Sequence, residues 1–177
     1  GYRFNSPNDI TRHSNGNLYF TDPPYGLRDR FEDPRREMDY CGVYLLRPSG
    51  EVELLTKSVE RPNGIGLSPD GKTLYVAQSH PEQPTITSFS VDSDGTLGKG
   101  NPFFDATRHQ GPGIFGNPDG LKVDAEGNVW ASGPGGIFIL NSKGNLLGRM
   151  LTGEKTSNCA FGGADGSMLY ITADTYV

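Results

Sequence analysis

Little in this chain is built for crosslinks, membranes or nucleic acid. Its 177 residues include two cysteines, Cys41 and Cys159, far apart and outside any C-x-x-C motif. They read as buried free thiols, with a pairing as the alternative, and no disulfide scaffold follows. No apolar run approaches the roughly 18 residues of a membrane helix. Sixteen Lys and Arg stand against 21 Asp and Glu, a net charge of −5, so the basic footprint that nucleic acid demands is missing. The three histidines, His13, His80 and His109, have neither H-x-x-x-H spacing nor a cysteine partner and read as surface residues. No G-x-S-x-G is present, which removes the simplest serine hydrolase. The one literal G-x-G-x-x-G, Gly111 to Gly116, holds Pro112 and runs into Asn117-Pro118, and these forbid the helix of a dinucleotide site. The chain opens at Gly1-Tyr2-Arg3-Phe4 without an initiator Met, as the interior of a longer sequence would. Cytoplasmic placement is favoured, with an upstream signal peptide left open.

What the chain does have is punctuation. Gly 25 and Pro 13 separate short runs of alternating apolar residues, the pattern of strands between turns, and helical spacing is scarce. The same phrase returns three times: Pro7-Asn8-Asp9, Pro62-Asn63-Gly64 and Pro118-Asp119-Gly120, the prolines 55 and 56 residues apart. Each phrase leads through a turn into an aliphatic-aromatic strand: Leu18-Tyr19-Phe20-Thr21, Leu74-Tyr75-Val76-Ala77 and Val129-Trp130-Ala131-Ser132. A third run follows in each unit (Gly42–Leu46, Thr85–Val91, Gly136–Leu140), and a fourth is clearest at Val52–Leu55 and Leu146–Leu151. Four antiparallel strands per repeat predict an all-β protein, a β-propeller of about three and a half four-stranded blades. The expected division is a single partial propeller domain over 1–177, with units 6–60, 61–116, 117–155 and 156–177. Either the chain is a fragment of a longer one, the favoured reading, or a second copy completes the ring by self-association through open edges.

The repeated phrase has a plain explanation, since Asn-Gly and Asp-Gly form turns and Pro fixes the backbone beside it. Three copies in register point further. The start of each innermost strand faces a propeller's channel, so oxygens of Asn8, Asn63 and Asp119 would converge on one axis. Such a set suits a hard cation, Ca²⁺ or Mg²⁺. Asp22-Pro23-Pro24-Tyr25-Gly26 is a stiff loop whose Tyr25 either walls a pocket or simply packs. Arg28 to Tyr40, with alternating charges, reads as a long exposed loop, a lid or a solvated connection. Trp130 takes the slot of Tyr19, Tyr75 and Tyr170 and reads as a core aromatic of its blade.

At these residues the chain resembles the gluconolactonase family, also called SMP-30/regucalcin-like, and its bacterial lactonase members. The resemblance is carried by Ser6-Pro7-Asn8-Asp9 with Phe20-Thr21-Asp22-Pro23-Pro24-Tyr25-Gly26, and by Arg61-Pro62-Asn63-Gly64 with Ser68-Pro69-Asp70. Pro118-Asp119-Gly120 with Val123-Asp124, Gly133-Pro134-Gly135-Gly136 and Asn158-Cys159-Ala160-Phe161-Gly162-Gly163 complete it, across nearly the whole chain. It implies a six-bladed propeller with one divalent cation in the channel, Ca²⁺ expected and Mg²⁺, Zn²⁺ or Mn²⁺ as alternatives. By resemblance Asn63 and Asp119 are metal ligands, Asp119 is also catalytic, and Asn8 lies beside metal and substrate, with Tyr25 a further substrate contact. The family's ligand Glu has no counterpart here and is expected upstream of Gly1, so the sequence as given does not complete the family's site.

The implied reaction is metal-dependent hydrolysis of a small-molecule sugar lactone or related cyclic ester, with neither nucleic acid nor a membrane as partner. A non-catalytic propeller that presents loops to a partner is the competing class, and an inactive remnant is a third. An Asn/Asp channel lining favours the enzyme, and an apolar or basic channel mouth favours the binder.

Overall fold

The structure is a computed structural model and describes residues 1–176. Its first sheet sets β1 (Ile10–Arg12), β2 (Leu18–Asp22), β3 (Gly42–Leu46) and β4 (Val52–Thr56) side by side in chain order. The second repeats the order with β5 (Pro62–Leu67), β6 (Thr73–Ser79), β7 (Pro84–Ser90) and β8 (Asn101–Asp105). The third holds β9 (Leu121–Val123), β10 (Val129–Gly133), β11 (Gly136–Leu140) and β12 (Leu146–Leu151). A two-stranded sheet of β13 (Thr156–Gly162) and β14 (Met168–Ala173) follows, and every pairing is antiparallel. The first strands of successive sheets touch, β1 to β5, β5 to β9 and β9 to β13, so they share one central axis. These are consecutive blades of a β-propeller.

The core lies between blades. In β6 five consecutive residues, Leu74 to Gln78, are buried, because both faces of the sheet are covered. Period two divides them. Leu74 and Val76 pack with Tyr19, Val43 and Leu45 of the first blade, while Tyr75 and Ala77 pack with Leu121, Val129 and Phe138 of the third. Tyr19 is fully enclosed and donates its hydroxyl to the Gly95 carbonyl at 2.9 Å, tying the first blade to a turn of the second.

Several expectations need correcting. The fourth strand of the second blade, β8, carries Pro102 and only one buried residue, so its pattern was weak; Pro is tolerated there because the strand is an outer edge. The histidines are half-buried, not at the surface. His109 rests on the rings of Phe104 and Phe138 at 5.9 and 4.9 Å, because an imidazole can cap the rim of an apolar core with its flat face. Trp130 is half-buried, where Tyr19 and Tyr75 are enclosed. Its ring meets Phe161 edge-on at 5.6 Å, and its Nε1–H donates to Asp124 at 2.9 Å. The described part of the last sheet has two strands, which cover it incompletely, and Tyr170 in the same slot is 50% exposed. The segment Arg28 to Tyr40 is anchored as well as exposed. It contains a 3-10 turn at Arg30–Glu32 and buries Asp33 and Met38, with Asp33 held by the guanidinium and backbone N–H of Arg35.

Candidate active site

Each Pro-Asn/Asp phrase lies at the entry to an innermost strand, and at the second of them the ladder is irregular. Between Pro62↔Gln78 and Ile65↔Val76 the register slips by one residue, a bulge at Asn63-Gly64 that turns Asn63 out of the strand's ordinary alternation. The entries are also tied to one another. Gly64 N–H donates to the Asp119 carbonyl at 2.9 Å, and Gly120 N–H to the Ser157 carbonyl at 2.7 Å. The approach at Gly64 is so close that a Cβ there would overlap the Asp119 carbonyl, so only glycine fits.

Hydroxyls reinforce these joints. Thr21 Oγ1 accepts from Asp9 N–H at 3.3 Å and donates to the Asn63 carbonyl at 2.7 Å. Ser132 occupies the same place a blade pair later, accepting from Asp119 N–H at 3.1 Å and donating to the Ser157 carbonyl at 3.3 Å. The second blade has Ala77 at this position and uses Ser79 instead. Ser79 Oγ accepts from Asn63 Nδ2 at 2.9 Å and donates to the Pro118 carbonyl at 2.5 Å. Ser79 therefore fixes which end of the Asn63 amide is the donor, and among the described residues no donor meets its oxygen. In the first blade the buried Asp22 carboxylate accepts the N–H groups of Asn5 and Ser6 at 2.8 and 2.7 Å, which holds the approach to Asn8.

All four residues singled out from the sequence line one cleft of about 440 Å³: Asn8, Tyr25, Asn63 and Asp119. Asn63 is buried, Asp119 half-buried and Asn8 exposed. Burial pushes the Asp119 carboxyl up to about 6, with Lys155 pulling it down, Asp9 pushing it up and the Asn63 amide pulling it down. Burial also pushes the Tyr25 hydroxyl up to about 12, against the smaller opposing influence of Ser79. The Tyr25 hydroxyl and Asn117 Oδ1 are both buried at this cleft without a hydrogen-bond partner that satisfies normal geometry. Unpaired buried polar atoms are rare, and at the wall of a cleft they are free to meet a ligand.

The oxygen set fits a hard cation in kind. The Asp119 carboxylate and the Asn63 amide come from adjacent blades, with Asn117 Oδ1 free beside them. No group of three or more His, Cys, Asp and Glu gathers among the described residues, and Asp119 is the one carboxylate in the cleft lining.

Sequence reasoning missed part of this wall: Arg30, Phe31, Arg61, Ser79, Pro81, Asn117 and Lys155. For two of them a signal existed, because Arg61 and Asn117 directly precede the second and third phrase prolines, as Ser6 precedes the first. The lining is thus Asn/Asp-rich and basic at once. Both features weighed against each other in the sequence are present.

The sequence model of the SMP-30/Gluconolactonase/LRE-like region matches residues 1–175. A gluconolactonase of Zymomonas mobilis is 43% identical over 182 aligned residues, covering 98% of this chain and 49% of that protein. Among solved structures, a gluconolactonase from Xanthomonas campestris superposes with a TM-score of 0.80 at 37% identity, over 98% of this chain and 56% of that one. Regucalcin from Agrobacterium tumefaciens, described as a calcium-binding protein, superposes with a TM-score of 0.73 at 29% identity, over 94% and 52%. The chain spans about half the length of these relatives.

Proposed function

The chain belongs to the SMP-30/gluconolactonase/LRE-like family, and from that premise we propose that its cleft hydrolyses a sugar lactone or related cyclic ester with the help of one divalent cation. The observation that carries the reading is convergence: Asn8, Asn63 and Asp119, from three blades, meet Tyr25 in one cleft. Relatives named gluconolactonase support the substrate class, and the calcium-binding description of regucalcin supports Ca²⁺.

Asn63 and Asp119 are the residues that would hold the cation. When bound, it supplies Lewis-acid polarisation of an acyl oxygen and a lowered pKa for a nearby water. Asp119 accepts the proton of the attacking water, a role that needs a carboxylate within hydrogen-bond reach. The water oxygen joins the acyl carbon, the ring C–O bond breaks, and the ring oxygen takes up a proton to become a hydroxyl. Ser79 holds the Asn63 amide in one orientation, so no energy is spent turning it during the reaction. Asn8 and the Tyr25 hydroxyl orient the sugar.

The basic residues of the wall favour the non-catalytic binder on the criterion set from the sequence, and one assay separates the two. Proton release from glucono-1,5-lactone should exceed the spontaneous rate in the presence of Ca²⁺ and return to it in Asp119→Ala. Turnover unchanged by that substitution sinks the proposal. Self-association belongs to the same reading: Phe161, Met168 and Tyr170 are 37%, 53% and 50% exposed on the last sheet. A strictly monomeric sedimentation profile contradicts that part.

A further inference from the structure

We infer that the lactone taken by this cleft is an acidic one, carrying a phosphate or carboxylate on the part of the sugar away from the scissile ester. The inference rests on the lactone reading proposed above and adds the charge of the substrate.

Three cationic side chains line the cleft, Arg30, Arg61 and Lys155, against the single carboxylate of Asp119. This excess of positive charge is local, because the chain as a whole carries −5. None of the three makes an ion pair or a side-chain hydrogen bond among the described residues. By contrast, Arg3, Arg35 and Arg47 each hold a carboxylate. A cation that lines a concave wall without a protein partner is available to a ligand anion.

Their placement is also specific. Arg61 lays its guanidinium over the Phe31 ring at 4.7 Å from the centroid. Stacking occupies the flat face and leaves the N–H edge free, the edge that grips phosphate or carboxylate in a bidentate fork. Arg30 is held in the left-handed region at φ 49, a conformation that a non-glycine residue seldom adopts and that recurs at ligand sites. Arg61 and Lys155 stand at equivalent crossings, just before β5 and β13, so their charges come from different blades. The unpartnered Tyr25 hydroxyl adds a neutral donor to the same wall. A neutral sugar lactone would leave the excess of positive charge over the Asp119 carboxylate unmatched, whereas an acidic one meets it.

The test has a binding arm and a turnover arm. Calorimetric titration of the chain in chelator compares gluconate, glucarate and 6-phosphogluconate, which share one carboxylate and differ in the second group. The inference expects at least one of the two doubly acidic ligands to bind about 10- to 100-fold tighter than gluconate, as charge-assisted hydrogen bonds to Arg would give. The preference should shrink between low and high salt. Glucarate identifies a carboxylate subsite and 6-phosphogluconate a phosphate subsite. Arg61→Ala should remove most of the preference, and exposed Lys155→Ala gives a second readout if the first variant folds poorly. Equal affinity for all three ligands, or a preference untouched by both substitutions, overturns the inference. In the turnover arm, kcat/KM for the 6-phosphate or the glucarate lactone is set against that for glucono-1,5-lactone. Failure to hydrolyse any lactone counts against the proposed reaction, and the binding arm still decides the charge of the ligand.

Discussion

Replacing Asp119 by Asn should stabilise the protein at neutral pH while abolishing lactone turnover. Burial lifts this carboxyl from an ordinary 3.8 to about 6 in the folded chain. The folded value is the higher one, so the protonated side chain contributes fully below about pH 4, and that contribution is lost as pH rises through 6. Above pH 7 the ionised carboxylate costs the fold on the order of 2–3 kcal/mol, at about 1.4 kcal/mol for each tenfold change in proton affinity. Asn is nearly isosteric and carries no charge, so it removes that cost. For a chain of this size the gain corresponds to about 5–10 °C in Tm. Thermal unfolding of both proteins in chelator, from pH 4 to pH 8, should show no gap at the acid end and the full gap at pH 8. Turnover should fall by about 100-fold or more with the loss of the base. A variant equally or less stable at pH 8, or a gap widest at pH 4, would refute the reasoning.

Two further outcomes follow from the joints between blades. Ser79→Ala leaves Asn63 Nδ2 and the Pro118 carbonyl without the hydroxyl that joins them, and denaturant unfolding should show a loss of about 1–3 kcal/mol that Ser79→Thr largely restores. An alanine variant within about 0.5 kcal/mol of the parent contradicts this account of Ser79. Gly64→Ala drives a methyl into the Asp119 carbonyl, so a loss of about 2 kcal/mol or more should accompany weaker cation binding; an undisturbed Tm would show that the blades part more easily than their spacing implies.

The blades were legible in the sequence because each strand inherits the same period-two pattern and the same phrase, and Asn8, Asn63 and Asp119 were found through that register alone. Arg61 and Asn117 lay in the same register and were overlooked, since the residue before a proline attracts attention only as a backbone restraint. Lys155 precedes β13 as Arg61 precedes β5 and belonged to that register too, but Arg30 and Phe31 could not be found that way. They stand on a connection whose course depends on tertiary anchors, such as the bond from the Arg36 guanidinium to the Asn5 amide oxygen, and no local periodicity records those anchors. The bulge at Asn63-Gly64 was equally hidden, because it is a property of the pairing with β6 and not of the phrase itself. His109 and Trp130 were misplaced for a related reason: their burial is set by the neighbouring blade, whose coverage the strand's own sequence does not state.

The central claim is that Asn63 and Asp119, from adjacent blades, act on one cation. The most direct test is the Tm of the chain as a function of Ca²⁺ concentration, for the parent, Asn63→Ala and Asp119→Asn. At about 100 times the dissociation constant, bound ion stabilises by about 2.7 kcal/mol, and the account predicts a rise of about 5–10 °C in the parent that disappears in both variants. A rise of equal size in either variant would contradict it.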